Sequence, residues 1–268
     1  MWEHLKQEQK EKYKTLITNF ASLSEAFSQK AENEDSDDRE SYVAPIVNSK
    51  FQETVFQKAF HAVGEDIANT SYDASLVVDE QHKYLVGIKS FGLDSGDQKI
   101  AQFKKDSQSW NELLSEIRFH AEISPDKETA DNENRARYEK LAREIATLRN
   151  QRIESSKALI RGFHSDSSHV EAVYHVLMPT SKGHKPQIHV GETTYLPVDL
   201  DNLKILGSTT KNNPTNFRFT DGHHDYKYTA ADSQLHMTFR NKEIVVDTWD
   251  VNYVEDPFYL FEHLHLLT

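Results

Sequence analysis

An aspartate and a lysine on two successive predicted strands are the residues of this chain best suited to chemistry. Segments 71–78 and 83–90 are rich in apolar residues and flank a polar turn, which predicts a β-hairpin. Asp73 would lie at the start of one strand and Lys89 near the end of the next. Because a buried lysine is costly unless it is paired, the simplest interpretation is a structural ion pair at a strand end.

A second interpretation is metal-assisted hydrolysis of a phosphodiester. This reaction needs an activated water, positive charge on the phosphate and stabilisation of the leaving oxygen, and Mg²⁺ held by carboxylates supplies most of these. A lysine beside the metal can orient or activate the water and stabilise the transition state. Asp73 and Lys89 are the residue types that such a site requires.

The hairpin resembles the PD-(D/E)xK nuclease superfamily, in particular Type II restriction endonucleases. These enzymes carry an aspartate at the start of one hairpin strand and an acid-x-lysine on the next, in a mixed sheet flanked by helices. Asp73 matches the first acid, Lys89 matches the lysine, and 52–60 looks like the helix that brings a glutamate to the metal. The resemblance covers residues 49–91.

The resemblance implies Mg²⁺-dependent, sequence-specific cleavage of double-stranded DNA, as in restriction–modification defence. Asp73 would hold the metal, Lys89 would position or activate the water, and the backbone carbonyl of Ile88 would be a further ligand. Such an enzyme is expected to be a homodimer, since two sites must cut two strands. A separately encoded DNA methyltransferase is the implied companion.

Two positions depart from the pattern of that superfamily. Tyr72 replaces the usual proline before Asp73, and Gly87 stands where the second acid should be. Glycine has no side chain to bind a metal, so another carboxylate must take this role. Glu53, at the edge of the apolar stripe of its predicted helix, is the first choice. The alternatives are Glu65, Glu112 and Glu116.

Composition limits the classes of function. The absence of cysteine excludes disulfide scaffolds, zinc–thiolate sites and cysteine nucleophiles. With 37% hydrophobic and 28% charged residues, the chain is expected to fold as a globular protein. A net charge of −12 opposes nonspecific binding to nucleic acid, although a local basic groove can still bind DNA. The lack of a long apolar run predicts no membrane segment and a cytoplasmic location.

Hydrophobic periodicity predicts an α/β (α+β) fold with helices, a hairpin and an added antiparallel β region. The resemblance implies that the sheet is a restriction-endonuclease-like mixed sheet flanked by helices. We expect three parts: a helical segment and acidic linker (1–40), a nuclease core with helices (41–165) and a β-rich region that reads DNA (166–268). Helices are predicted over 1–30, 49–63, 98–123, 133–163 and 258–266. Strands after the boundary are predicted over 170–178, 187–198, 217–219, 226–229, 235–239 and 243–249.

Polar loops in the β-rich region, and lysines that follow the hairpin, could contact DNA. Sequence readout needs donors that reach base edges, and affinity needs cations on phosphates. The predicted DNA-binding residues are Lys99, Lys104, Lys105, Lys211, Asn213, Arg218, Asp221, His223 and Lys227.

Other functions stay open. One is a repair or defence nuclease of the same superfamily without sequence specificity. Another is a non-catalytic nucleic-acid-binding module, in which Gly87 marks a decayed site. A zinc hydrolase or HNH-type nuclease has no support from the spacing of the 14 histidines. A coiled-coil scaffold on 133–163 is disfavoured, because the heptads are imperfect and break at Gly162.

Overall fold

The computed structural model describes residues 1–27, 42–64, 71–160 and 170–267. Within these ranges the protein is a mixed α/β structure with two β-sheets and flanking helices, as the sequence predicted. The predicted acidic linker, the candidate Glu65 and the helix break at Gly162 lie outside the described residues.

The chain forms two compact units, and each is assembled from separate stretches. The first unit comprises 1–95, 156–195 and 240–268, and the second comprises 96–155 and 196–239. This division differs from the one expected at residues 40 and 165. The reason is that strands distant in sequence pair within each sheet, so the units do not follow chain order.

The first unit contains a six-stranded mixed sheet of order β1-β2-β3-β5-β6-β11. The central strand β3 pairs antiparallel with β2 and parallel with β5, which confirms the predicted hairpin. Both faces of β3 are covered, because its residues from Tyr84 to Ile88 are all buried. The strands are β1 (Val63–Gly64), β2 (Ala74–Val77), β3 (Lys83–Ser90), β5 (Val170–Pro179), β6 (Gln187–Thr194) and β11 (Val245–Asp250).

Helices α1 (Gln7–Ala21) and α3 (Ser49–Phe60) pack together and bury their apolar stripes against one face of this sheet. Helix α3 begins where the Asn48 side chain accepts a hydrogen bond of 2.9 Å from the Phe51 N–H. It ends at His61, which adopts a left-handed conformation with φ of 57°. The short helices α2 (Ser24–Phe27) and α6 (Pro257–His263) complete the unit.

The second unit contains a five-stranded antiparallel sheet of order β4-β10-β9-β8-β7. Its strands are β4 (Gln98–Gln102), β7 (Lys204–Thr210), β8 (Asn213–Thr220), β9 (Asp225–Thr229) and β10 (Gln234–Thr238). One face is aromatic: Phe217 stacks on Tyr138 of α5 at 4.9 Å, and Tyr228 contacts Trp110. The two long helices of the region are α4 (Asn111–Ile123) and α5 (Lys127–Leu159). The strict alternation of buried and half-buried residues in β9 and β10 fits a sheet that is apolar on one side only.

One predicted helix is wrong in its first part, and strands β1 and β7 were not predicted. The segment expected to be helical over 98–123 begins as a strand, Gln98–Gln102, and its α-helix spans only Asn111–Ile123. The strand forms because this segment pairs with β10, which is distant in the sequence. Strand β7 was overlooked, since it has few apolar residues and a glycine at Gly207 with φ of 100°. In the part of the chain that the structure describes, no helix is both long and apolar enough to cross a membrane.

The first unit buries a histidine, and this makes its stability sensitive to acid. His175 is fully buried, its Nε2 lies 3.1 Å from the Tyr13 hydroxyl, and its ring stacks on Trp2. Burial, with a smaller effect of the N-terminal ammonium, lowers the pKa of His175 to about 3. The folded state therefore resists protonation that the unfolded chain accepts below its ordinary pKa of about 6.5.

We expect stability to fall as the pH drops from about 6.5 towards 3, by about 2 kcal/mol at pH 5 relative to neutral pH. Urea denaturation at pH 7.5 and pH 5 measures this difference. His175→Gln keeps a group that can bond to Tyr13 but does not titrate, so its pH-dependent loss should be smaller by about the same amount. An unchanged loss in the variant would show that other groups cause it.

Candidate active site

Asp73 lies where the hairpin opens, immediately before β2. Its backbone N–H donates to the Val86 carbonyl at 2.9 Å, and its Oδ2 accepts a hydrogen bond of 2.6 Å from the Ile88 N–H. The carboxylate is therefore held at a defined point beside β3, and its side chain is half-buried. A charge-assisted hydrogen bond of this length fixes the orientation of the carboxylate.

Lys89 follows directly after the residue that Asp73 contacts. It is half-buried near the end of β3, while Ile88 points into the apolar core and is 5% exposed. Asp73 is thus hydrogen-bonded to the backbone of β3 one residue before Lys89. A shared site of the Asp73 carboxylate and the Lys89 ammonium stays a prediction. The observed contact to Ile88 uses its backbone N–H, whereas the predicted metal ligand was its carbonyl oxygen.

Gly87 is enclosed by two tyrosines, which explains why no acid occupies this position. Tyr174, its partner on β5, stacks on Tyr195 with ring centroids 4.0 Å apart. A Cβ atom at Gly87 would lie 2.9 Å from each ring, closer than carbon atoms pack. The Tyr195 hydroxyl also donates to the Ser71 carbonyl at 2.9 Å, which anchors the ring pair beside the entry to β2. The site of the missing acid is therefore an aromatic layer.

Glu53 lies on α3, one turn after Ser49. The Ser49 hydroxyl is 2.9 Å from the Ser90 hydroxyl, so the start of α3 meets the end of β3 beside Lys89. Positions four residues apart share a helix face, so Glu53 lies on the side of α3 that carries this contact. Its side chain is 19% exposed, and its carboxylate forms a 2.8 Å ion pair with Lys50. Glu53 is thus near the carboxyl end of β3, on a different element from Asp73.

The alternative acids have other surroundings. Glu112 and Glu116 belong to the second unit, and Glu116 is bound to Arg137 at 2.7 Å. Within the four described ranges, no three His, Asp or Glu side chains converge as a metal-binding set.

The donor set nevertheless suits Mg²⁺, which is commonly held by one or two carboxylates and completes its shell with water and substrate phosphate. Asp73 and Glu53 would hold the ion, because Asp73 is hydrogen-bonded to β3 and Glu53 lies on the helix whose first residue contacts the end of β3. A bound Mg²⁺ would supply Lewis-acid activation of the phosphate and of an attacking water.

All nine predicted DNA-binding residues belong to the second unit, while the predicted catalytic residues belong to the first. Three of the nine, Lys99, Lys227 and Arg218, lie in one row across the second sheet. The registers pair Arg218 with Lys227, Lys227 with His236, and His236 with Lys99. We call these four residues the cationic row.

Asp221 is buried and stabilises a turn, so it is not exposed for contact with DNA as predicted. It is 2% exposed, its Oδ1 accepts the N–H groups of His223 and His224, and its Oδ2 accepts the Tyr226 hydroxyl. These bonds close the turn between β8 and β9. His223 is exposed at the same turn, on the wall of a small cavity of about 310 Å³.

The remaining predicted contacts are spread over the second unit. Lys105 lines a groove of about 750 Å³ together with Lys140 and Arg143 of α5, and Lys104 is exposed next to it. Asp106 and Glu144 also line this groove, so its charge is mixed. The Lys211 ammonium donates to the Pro125 carbonyl at 3.3 Å, and Asn213 is exposed.

Sequence reasoning missed four residues at these sites. Tyr174 and Tyr195 were overlooked because only strand pairing places them over Gly87. His236 was overlooked because only strand register places it in the cationic row, and Asp97 because only the fold brings it to Arg218. The one local signal was the alternation in 234–238, which places His236 on the polar face.

Asp97 is the acid that holds the row together. It forms a short ion pair with Arg218, lies 3.9 Å from Lys227 and accepts a 2.8 Å hydrogen bond from Thr238. Burial alone would raise the pKa of Asp97, but the bonds from Thr238 and Arg218 and the nearby cations outweigh it and lower the pKa below its usual value.

No known protein family, curated protein or solved structure matches this chain.

Proposed function

We propose that this protein is a Mg²⁺-dependent endonuclease that hydrolyses double-stranded DNA, with its active site on the β2–β3 hairpin. The observation that carries the proposal is the Asp73 carboxylate, held 2.6 Å from the Ile88 N–H, one residue before Lys89. A fixed carboxylate and a half-buried lysine on paired strands of a mixed sheet are what the resemblance to PD-(D/E)xK nucleases leads us to expect.

In this mechanism Asp73 would hold the metal, and its hydrogen bond to the Ile88 N–H limits the directions in which the carboxylate can point. Lys89, the residue after Ile88, would position or activate the attacking water, and its positive charge would stabilise the transition state. Glu53 supplies the carboxylate that position 87 cannot, since the end of α3 that bears it is tied to the end of β3.

We propose further that cleavage is sequence-specific. The protein would then act as a homodimer that restricts foreign DNA, together with a separate DNA methyltransferase. The proposed DNA-binding residues and the proposed catalytic residues belong to different units, which supports sequence-specific cleavage because readout and cleavage are distinct tasks. Incubation of a defined plasmid with the protein in Mg²⁺ or in EDTA tests the proposal. Discrete bands that require Mg²⁺ indicate site-specific cleavage, whereas a smear indicates the non-specific nuclease.

Glu53→Gln is expected to weaken metal binding rather than to unfold the protein, because Glu53 is near the surface and only its pair with Lys50 is lost. The Mg²⁺ concentration that half-saturates cleavage should rise by about tenfold or more. Glu112→Gln, the same change on α4, is the matched control and should leave this concentration unchanged. An effect of Glu112→Gln instead would assign the replacement acid to α4.

A non-catalytic DNA-binding module is the second candidate, and the tyrosines over Gly87 favour it. The position of the second acid is a glycine packed against two tyrosine rings. This is what we expect of a protein that kept the nuclease fold but no longer catalyses hydrolysis. DNA binding without cleavage in either Mg²⁺ or Mn²⁺ would decide for this candidate.

A further inference from the structure

The cationic row crosses four adjacent strands on the polar face of the second sheet. Residues paired in an antiparallel ladder project from the same face, so Arg218, Lys227, His236 and Lys99 lie side by side. With strands about 4.8 Å apart, the row is roughly 14 Å long. This is comparable with the width of about 12 Å of the DNA major groove, so the two ends of the row can reach phosphates on both strands.

Neighbouring positive charges in the cationic row repel each other, and Asp97 neutralises only part of this repulsion. Like charges directly across a strand pair are destabilising, and Arg218 faces Lys227. Asp97 offsets this by contacting both cations, but Lys99 at the far end is exposed to solvent. A polar face flanks the row, with half-buried amides and hydroxyls at Asn216, Thr229, Gln234 and Thr238. The surface therefore offers cations and hydrogen-bond donors to an anion.

His236 lies between two of these cations. Its Nδ1 is buried and has no hydrogen-bond partner among the residues that the structure describes. Burial lowers the pKa of His236, and the charges of Lys227 on β9 and Lys99 on β4 lower it further. A hydrogen bond with the Lys227 backbone and the charge of Asp97 oppose these effects without reversing them. An anion that neutralises Lys227 and Lys99 would remove this repulsion and allow the ring to take up a proton.

The net charge of the second unit also opposes binding to a polyanion less than the net charge of the whole chain does. Residues 96–155 and 196–239 hold 15 Lys and Arg against 17 Asp and Glu, whereas the whole chain holds 31 against 43. The second unit is thus nearly neutral, and most of the acidic excess belongs to the first.

We propose that the cationic row is the surface that binds the phosphates of duplex DNA, that a phosphate displaces Asp97 from Arg218, and that His236 gains a proton on binding. The inference rests on the proposed function for the nature of its ligand. Asp97 acts as an internal anion: it stabilises the row when DNA is absent and competes with phosphate when DNA is present.

Fluorescence anisotropy with a labelled 20-base-pair duplex in EDTA tests this without cleavage. The variant Lys99→Gln/Lys227→Gln removes two cations and keeps the Arg218–Asp97 pair that stabilises the sheet. Its matched control, Lys140→Gln/Arg143→Gln, removes two cations from the groove along α5 in the same unit. The row variant should bind about tenfold or more weakly, and the slope of log K against log salt should fall by about 2, while the control keeps both values.

Two single variants test the other parts. Asp97→Asn keeps the hydrogen bond from Thr238 but loses the competing charge, so duplex affinity should rise about threefold or more at low salt. The affinity of the unaltered protein should increase as the pH falls from 8 to 6, since the bound state holds an extra proton. His236→Gln should remove this dependence and leave urea stability at pH 8 close to that of the unaltered protein.

Loss of binding in the groove control with normal binding in the row variant would overturn the proposal. So would tighter binding of a single strand than of the duplex, weaker binding by Asp97→Asn, or an unchanged pH dependence in His236→Gln. The outcomes separate this inference from the nuclease proposal. If the row binds DNA but the protein does not cleave it, only the nuclease proposal is rejected. If the row variant cleaves DNA and binds it normally, only the proposed role of the cationic row is rejected.

Discussion

Asp73→Asn should reduce Mg²⁺-dependent cleavage by about a thousandfold while the protein stays folded. The amide oxygen of asparagine can still accept the Ile88 N–H that Asp73 accepts at 2.6 Å, so the local backbone keeps its bond. The negative charge that a metal needs is lost. Initial rates on plasmid DNA and urea denaturation of the same samples measure the two effects.

Two further substitutions make the result specific. Asp79→Asn changes an exposed aspartate in the turn of the same hairpin, so it should leave the cleavage rate unaltered. Asp73→Ala removes both charge and acceptor, so it should be inactive and also less stable by about 1–2 kcal/mol, because the Ile88 N–H loses its partner. Equal rates for Asp73→Asn and the unaltered protein would reject the hairpin as the catalytic centre.

Gly87→Asp, which restores the superfamily's acid in the sequence, should fail to raise activity and should destabilise the protein by about 3 kcal/mol or more. The new Cβ would lie 2.9 Å from the rings of Tyr174 and Tyr195, and the carboxylate would enter an aromatic layer. Urea denaturation gives the change in the free energy of unfolding, and the plasmid assay gives the rate.

The tyrosine layer can be tested directly with Gly87→Ala, which adds only the clashing atom and should cost about 1–3 kcal/mol. In a Tyr174→Leu background the same substitution should cost less, because the smaller side chain leaves room for the methyl group. A double-mutant cycle measures this coupling. Additive effects, or a neutral Gly87→Ala, would mean that the rings are not what keeps position 87 a glycine.

Local patterns in the chain were enough to predict the hairpin, the helix that carries Glu53 and the position of Asp73 beside β3. These features depend on residues close together in sequence: alternation, a polar turn, and Asn48 before an apolar helix stripe. The prediction of a helix over Gln98–Gln102 was wrong because the structure of this segment depends on residues far away in the sequence. That segment has no strong period of its own, and its strand form comes from pairing with β10, more than 130 residues away.

The amino-acid sequence by itself determined the residue types available for chemistry: Asp73 and Lys89 on paired strands, a glycine where an acid was expected, and no cysteine. Only tertiary structure decided what surrounds them. Parallel pairing of β3 with β5 sets Tyr174 over Gly87, and antiparallel register aligns Arg218, Lys227, His236 and Lys99 in one row. Register is a long-range property, because the pairing of two strands depends on which faces both can bury rather than on neighbours along the chain.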